Sequence, residues 1–140
     1  MKTETGYLVL ETGEVYQGIL RGGVPRAGEV VFNTSHSGYE EIATDPSYLS
    51  QIVVMTAPMQ GNYGVDKSHW ESGRLWIEGF VALQVQASPR DQSWLQRLHE
   101  NQIPCLSDLD TRAIAMRLRE GGTPWGAIVA AHTYDGKSYQ

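Results

Sequence analysis

The chain has 140 residues, which is the usual size of one domain, and its 41% hydrophobic and 19% charged residues exclude an intrinsically disordered protein. Its formal net charge of −5 argues against nucleic acid as a partner, because nucleic-acid-binding domains present basic surfaces. No apolar run approaches the ~20 residues that a membrane-spanning helix needs, so no membrane partner is expected.

The first half of the chain has the pattern of strands. Residues 7–10 and 15–20 are predicted to form a hairpin, because the turn between them contains Gly13, which tolerates a positive φ. The next strands are predicted at 29–33 and at 51–56, and the second of these is apolar enough to be covered on both faces. A further strand is expected at 76–85, with Gly79 as a possible bulge.

The second half changes to a helical period. Asp91 is predicted to cap a helix that runs to about Asn101, and Asp110 to cap another that ends before Gly121 and Gly122. Residues 127–130 are predicted to form a last strand. The pattern as a whole predicts an α+β fold with a β-rich first half and two main helices in the second half.

Nucleophilic catalysis and metal binding both lack their usual residues. Cys105 lies in a short apolar segment without a glycine-rich elbow and is interpreted as a buried structural thiol. The histidines are too far apart in sequence for metal-ligand spacing: His36, His69, His99 and His132. A single cysteine excludes an internal disulfide, and since no secretory signal is visible, we expect a cytoplasmic protein.

Two carboxylate groups remain as candidates. Glu40 and Glu41 are adjacent, which on a helix turns their side chains apart, so they are interpreted as charge at a helix N-terminus. Asp108 and Asp110 offer the oxygen ligands that magnesium prefers. The simpler interpretation is that Asp110 caps a helix and that Asp108 pairs with Arg112.

Polar, turn-forming residues are densest in three segments, each of which follows or joins a predicted strand. The segments are 33–39, 44–48 and 61–64. Loops at strand ends are where binding groups collect, so these loops are a candidate surface for a ligand or partner. The residues alone indicate no complete active site.

These loops carry a resemblance to a known family. The segments that match are GEVVFNTS (28–35), SGYEEI (37–42), TDPSY (44–48), QIV (51–53), GNYG (61–64), DLDTR (108–112) and LRE (118–120). They resemble the N-terminal domain of the small, glutamine-using subunit of carbamoyl phosphate synthase. The likeness extends in order from about residue 8 to residue 130.

The resemblance implies more than the pattern of residues does. It implies a layered β/β/α domain over 1–131, with 132–140 as the start of a linker to a C-terminal class I glutaminase domain. The family's catalytic cysteine lies downstream of position 140, so Cys105 is not that residue, and this portion alone is expected to be inactive. The whole enzyme makes carbamoyl phosphate from glutamine, bicarbonate and ATP for arginine and pyrimidine synthesis.

The resemblance also implies partners and one site residue. The small subunit pairs with a large subunit that uses ATP and magnesium, and it delivers ammonia to that subunit through a tunnel; no cofactor is expected in this domain. The serine of the TDPSY segment contributes to the L-glutamine site in the family, which assigns that role to Ser47. Three tryptophans outside the matching segments belong either to the core or to an interface: Trp70, Trp94 and Trp125.

Two other functions stay open at this point. One is a free-standing binding module without chemistry of its own. The other is a small metal-dependent enzyme that works from Asp108 and Asp110, with Glu41 as a third carboxylate.

Overall fold

The computed structural model describes residues 3–34, 39–56, 75–83 and 89–134, without the side chains at 39–41 and 89–91. Within these ranges the chain forms seven strands and three helices. The strands are β1 (Thr3–Leu10), β2 (Val15–Arg21), β3 (Arg26–Asn33), β4 (Gln51–Met55), β5 (Gly79–Ala82), β6 (Cys105–Ser107) and β7 (Trp125–Ala130). The helices are α1 (Tyr39–Thr44), α2 (Pro89–Glu100) and α3 (Thr111–Gly121).

The strands close into a barrel in the order β1-β2-β6-β5-β4-β3-β7. Strand β7 completes the ring by pairing with both β3 and β1. Neighbouring strands from β3 to β6 run parallel, whereas the remaining pairs are antiparallel. The carboxyl ends of four strands, β3 to β6, therefore meet at one end of the barrel.

The predicted hairpin is confirmed as β1 and β2. Gly13 has a φ of 104°, which only glycine adopts readily. The amide of Leu10 donates to the carbonyl of Glu14 over 2.9 Å and closes the turn. The local pattern was sufficient here because the two strands are neighbours in sequence.

Strand β4 is buried on both faces, as predicted. Ile52 and Val54 point into the barrel interior, where α3 adds Ile114 and Leu118 to the same cluster. Val53 points outward into a second cluster that α2 covers with its apolar stripe. We call these two clusters the inner core and the outer core.

The outer core contains Trp94, which the sequence left open, and Cys105. Trp94 is fully buried on α2, and its ring meets that of Phe80 edge to face with centroids 5.7 Å apart. Cys105 is also fully buried in this cluster, which confirms its interpretation as a structural thiol. The aromatic pair joins α2 to β5.

Several boundaries differ from the predictions, and β1, β3 and β7 each begin two to four residues earlier than expected. The strand expected at 76–85 is only Gly79–Ala82, and Gly79 pairs regularly with Ile52 instead of forming a bulge. Helix α2 begins at Pro89, so Asp91 is its third residue and not its cap. The cap predicted for α3 is confirmed, since Asp110 Oδ1 accepts from the amide of Ala113 over 3.0 Å.

The end of the described chain packs back onto β1. The ring of Tyr134 meets that of Tyr7 with centroids 5.3 Å apart, and His132 Nδ1 lies 2.9 Å from Glu4 Oε1. The boundary at 131 and the layered β/β/α arrangement both stay predictions. Residues 135–140 lie outside the described ranges.

Candidate functional site

Ser47 lies exposed in a single 3₁₀ turn, Pro46–Tyr48, that follows α1 and precedes β4. Asp45 caps this turn, because its Oδ1 accepts from the amide of Ser47 over 3.0 Å. The carbonyl of Asp45 accepts from the amide of Tyr48 over 3.0 Å, and that of Pro46 accepts from Leu49 over 3.1 Å. The TDPSY segment is therefore a shaped turn that presents a hydroxyl to solvent.

The chain leaving this turn lies tightly against β3. Ser50 has a φ of 64°, and its amide donates to the carbonyl of Trp76 over 3.2 Å. A Cβ placed on Gly28 of β3 would lie 2.5 Å from the carbonyl oxygen of Ser50. Glycine at position 28 is thus required for the close approach of β3 to the segment that follows Ser47.

Asn33 joins the carboxyl ends of β3 and β4. Its carbonyl accepts from the amide of Thr56 over 3.1 Å and from the Thr56 hydroxyl over 3.3 Å. Its side-chain Nδ2 donates to the hydroxyl of Tyr48 over 3.0 Å. The 33–39 and 44–48 segments, which the sequence proposed as one surface, are therefore linked directly at their ends; the 61–64 segment lies outside the described residues.

Asp108 and Asp110 have structural partners. Asp108 Oδ2 accepts from the Ser107 hydroxyl over 2.7 Å and pairs with Arg21 Nη2 at 3.2 Å. The ion-pair partner is thus Arg21 of β2, not the predicted Arg112. Since Asp110 caps α3, both carboxylates serve the fold, and within the described residues no three His, Cys, Asp or Glu side chains could together hold a metal.

The remaining candidates are placed as follows. Imidazole Nδ1 of His99 accepts from the amide of Gly23 over 3.0 Å, and His132 is exposed beside Glu4. His36, His69 and Trp70 lie outside the described residues, as does the side chain of Glu41. Trp125 is 55% exposed at the start of β7 and is therefore a surface residue, in contrast to Trp94.

A second ion pair that the sequence did not predict joins the hairpin turn to α3. Glu14, in the hairpin turn, accepts from the Thr12 hydroxyl, and its Oε1 accepts from Arg117 Nε of α3 over 2.8 Å. These hydrogen bonds, the one from Thr12 first, hold the pKa of Glu14 below its usual value. Glu14 and Arg117 are 103 positions apart, so no local spacing indicated the pair.

In the ranges that the structure describes, no helix has both the length and the apolar character needed to cross a membrane.

The comparisons with known proteins indicate one family. The family model for the carbamoyl-phosphate synthase small chain, CPSase domain, matches residues 8–128. The chain is 46% identical over 136 residues to the carbamoyl phosphate synthase small chain of Thermus thermophilus. The aligned region covers 94% of this chain and 35% of that protein. Similar small chains are those of Caldanaerobacter subterraneus (45% identity, covering 88% and 36%) and Methanopyrus kandleri (42% identity, covering 87% and 35%).

The chain spans about a third of the length of the curated relatives that it matches. The matched residues include most of the described barrel and the turn that carries Ser47. The chain belongs to the family of carbamoyl phosphate synthase small chains, as its CPSase domain.

Proposed function

We propose that this chain is the N-terminal part of a glutamine-hydrolysing carbamoyl phosphate synthase small subunit. In this role it docks the large subunit and completes the glutamine site, so that ammonia from glutamine is delivered for carbamoyl phosphate synthesis. The family match over residues 8–128 supports the assignment. The relatives' greater length supports a separate C-terminal portion that carries the glutaminase chemistry.

Ser47 is the residue of this domain that we assign to glutamine. Its exposure on a turn with three local hydrogen bonds is the observation that carries the proposal. A serine hydroxyl both donates and accepts, so it suits either the α-carboxylate or the α-ammonium group of an amino acid. Because the turn is already shaped, little conformational entropy is lost when the ligand binds.

The chemistry itself is assigned elsewhere in the enzyme. Cys105, the single thiol, is fully buried in the outer core and cannot reach a substrate. We assign the nucleophile to the C-terminal glutaminase domain, and the use of ATP and magnesium to the large subunit. The cytoplasm stays the predicted location, in line with arginine and pyrimidine biosynthesis.

The test uses the full-length small subunit assembled with its large subunit. Hydrogen bonds to charged groups contribute about 1.5–3 kcal/mol, so Ser47→Ala should raise the KM for glutamine roughly 10- to 150-fold. Synthesis from added ammonia should stay unchanged, because it bypasses the glutamine site. Ser47→Thr, which keeps the hydroxyl, is the matched control; an unchanged KM in Ser47→Ala would contradict the proposal.

The two other functions lack supporting observations. A magnesium enzyme would need Asp108 and Asp110 as ligands, but Asp108 pairs with Arg21 and Asp110 caps α3. Calorimetric titration with millimolar magnesium is therefore expected to show no binding to the chain. No observation on the described residues favours a free-standing binding module.

A further inference from the structure

The turn that carries Ser47 is held by one long-range hydrogen bond in addition to its local ones. Asn33 Nδ2 donates to the hydroxyl of Tyr48 over 3.0 Å, and Tyr48 is the residue directly after Ser47. The local bonds from Asp45 and Pro46 fix the shape of the turn. They do not fix where that shape lies relative to the carboxyl ends of the strands.

The ring of Tyr48 is placed by packing. It is partly buried against the outer core, together with Val31 of β3 and Ile42 of α1. Packing of this kind restricts the rotamer of the Tyr48 ring. Apolar contacts are not directional, however, so they do not fix how far the ring extends along its own long axis. The Tyr48 hydroxyl fixes that position, because its hydrogen bond with Asn33 is directional.

Asn33 is itself held at a defined point of the barrel. Its backbone pairs with Met55 in the register of β3 and β4, and its carbonyl accepts both the amide and the hydroxyl of Thr56. A continuous path of contacts therefore leads from two strand ends, through Asn33 and the ring of Tyr48, to Ser47.

We propose that Tyr48 is a positioning residue of the glutamine site, whose hydroxyl, bound to Asn33, sets the location of Ser47. This inference rests on the proposed role of Ser47 as a glutamine ligand. It assigns no contact between Tyr48 and the substrate. Binding sites of this kind lose affinity when a supporting side chain lets a contacting residue move.

Tyr48→Phe is the variant that tests the inference, since it removes one oxygen and leaves the packed ring in place. In the full-length subunit assembled with the large subunit, the KM for glutamine should rise about two- to tenfold, the range that corresponds to one neutral hydrogen bond. The rate with saturating ammonia should not change. Tyr16→Phe, on β2 and outside the segments that contact Ser47, is the matched control and should leave both quantities unchanged.

A double-mutant cycle separates positioning from a merely structural effect. If Tyr48 acts through Ser47, Tyr48→Phe should have no further effect on the KM in a Ser47→Ala background. An equal rise of the KM in both backgrounds would overturn the inference.

The four proteins of this cycle (wild type, Ser47→Ala, Tyr48→Phe and the double variant) also separate this inference from the proposed function. If Ser47→Ala raises the KM and Tyr48→Phe does not, the positioning role is wrong and the role of Ser47 stands. If Ser47→Ala itself leaves the KM unchanged, both are wrong. Asn33→Ala removes the donor from the other side and should reproduce the Tyr48→Phe result; wild-type KM in Asn33→Ala would also overturn the positioning role.

Discussion

Gly28→Ala should destabilise the domain and disturb the segment that follows Ser47. The added Cβ would lie 2.5 Å from the carbonyl oxygen of Ser50, whereas real Cβ atoms essentially never approach closer than 3.0 Å. Ser50 must therefore move by at least 0.5 Å, the difference between these two distances. A backbone oxygen cannot rotate away as a side chain can, so β3 and the segment at Ser50 have to move apart.

The magnitude follows from two opposing effects. Overpacking of this kind costs about 1–3 kcal/mol, whereas replacing glycine by alanine stabilises by about 0.4–1 kcal/mol through the unfolded chain. The difference between these two effects is at most about 2.6 kcal/mol, and since the clash is with a backbone oxygen we expect the upper part of the range, about 1–2.6 kcal/mol, which lowers Tm by roughly 3–10 °C for a domain of this size. The displaced segment should also raise the glutamine KM of the assembled enzyme.

Thermal and urea unfolding of the chain measure the stability, with Gly79→Ala as the comparison. At Gly79 the nearest atom to an added Cβ is Ile128 Cδ1, at 2.6 Å. Because that atom is the end of a flexible side chain, Gly79→Ala should cost less than Gly28→Ala and should leave the glutamine KM unchanged. The steric reasoning is refuted if Gly28→Ala unfolds at the wild-type temperature.

Two further predictions concern charge and packing. The pKa of Glu14 is lower in the folded chain than its ordinary 4.5. The ionised Glu14 carboxylate therefore stabilises the folded chain above pH 4.5, and this contribution is lost as the pH falls through the folded-state pKa. Glu14→Gln should therefore flatten the acid limb of a stability-versus-pH curve, and an unchanged limb would contradict the assignment. Trp94→Ala should cost about 3–5 kcal/mol in urea unfolding because Trp94 is fully buried. Trp125→Ala should cost less than about 0.5 kcal/mol, because Trp125 is 55% exposed; similar losses in the two variants would contradict the burial.

The parts of the fold that could be predicted are those set by neighbouring residues. The hairpin needed only Gly13 between two apolar runs, and α3 needed only Asp110 at its start and the glycines at its end. The run at 51–56 was recognisable because both of its faces are apolar. In each case the pattern and the structure depend on residues close together in the chain.

The parts that could not be predicted depend on long-range pairing. Strand β6 has three residues, too few for a pattern, and exists because β2 and β5 bond it on either side. The partner of Asp108 is Arg21, 87 positions away. Arg112 was the nearer choice in sequence, but the closure of the barrel brings β2 and β6 together instead.

The candidate site was predicted to a similar extent. The resemblance of the TDPSY segment indicated Ser47, and a turn with Pro46 is expected from the residues alone. The bond between Asn33 and Tyr48 was not predicted, because it depends on how α1 returns the chain to β4. Such second-layer contacts become visible only in three dimensions.

Closure of the barrel restricts how any partner can bind. Each of the seven described strands is hydrogen-bonded to two neighbours, although some pairings cover only part of a strand: β2 pairs with β6 only at Ile19, Leu20 and Arg21. Partners that bind by adding a strand need an open sheet edge. Along the paired stretches, recognition therefore depends on side chains and loops, which can vary between relatives without any change to the hydrogen-bonded frame.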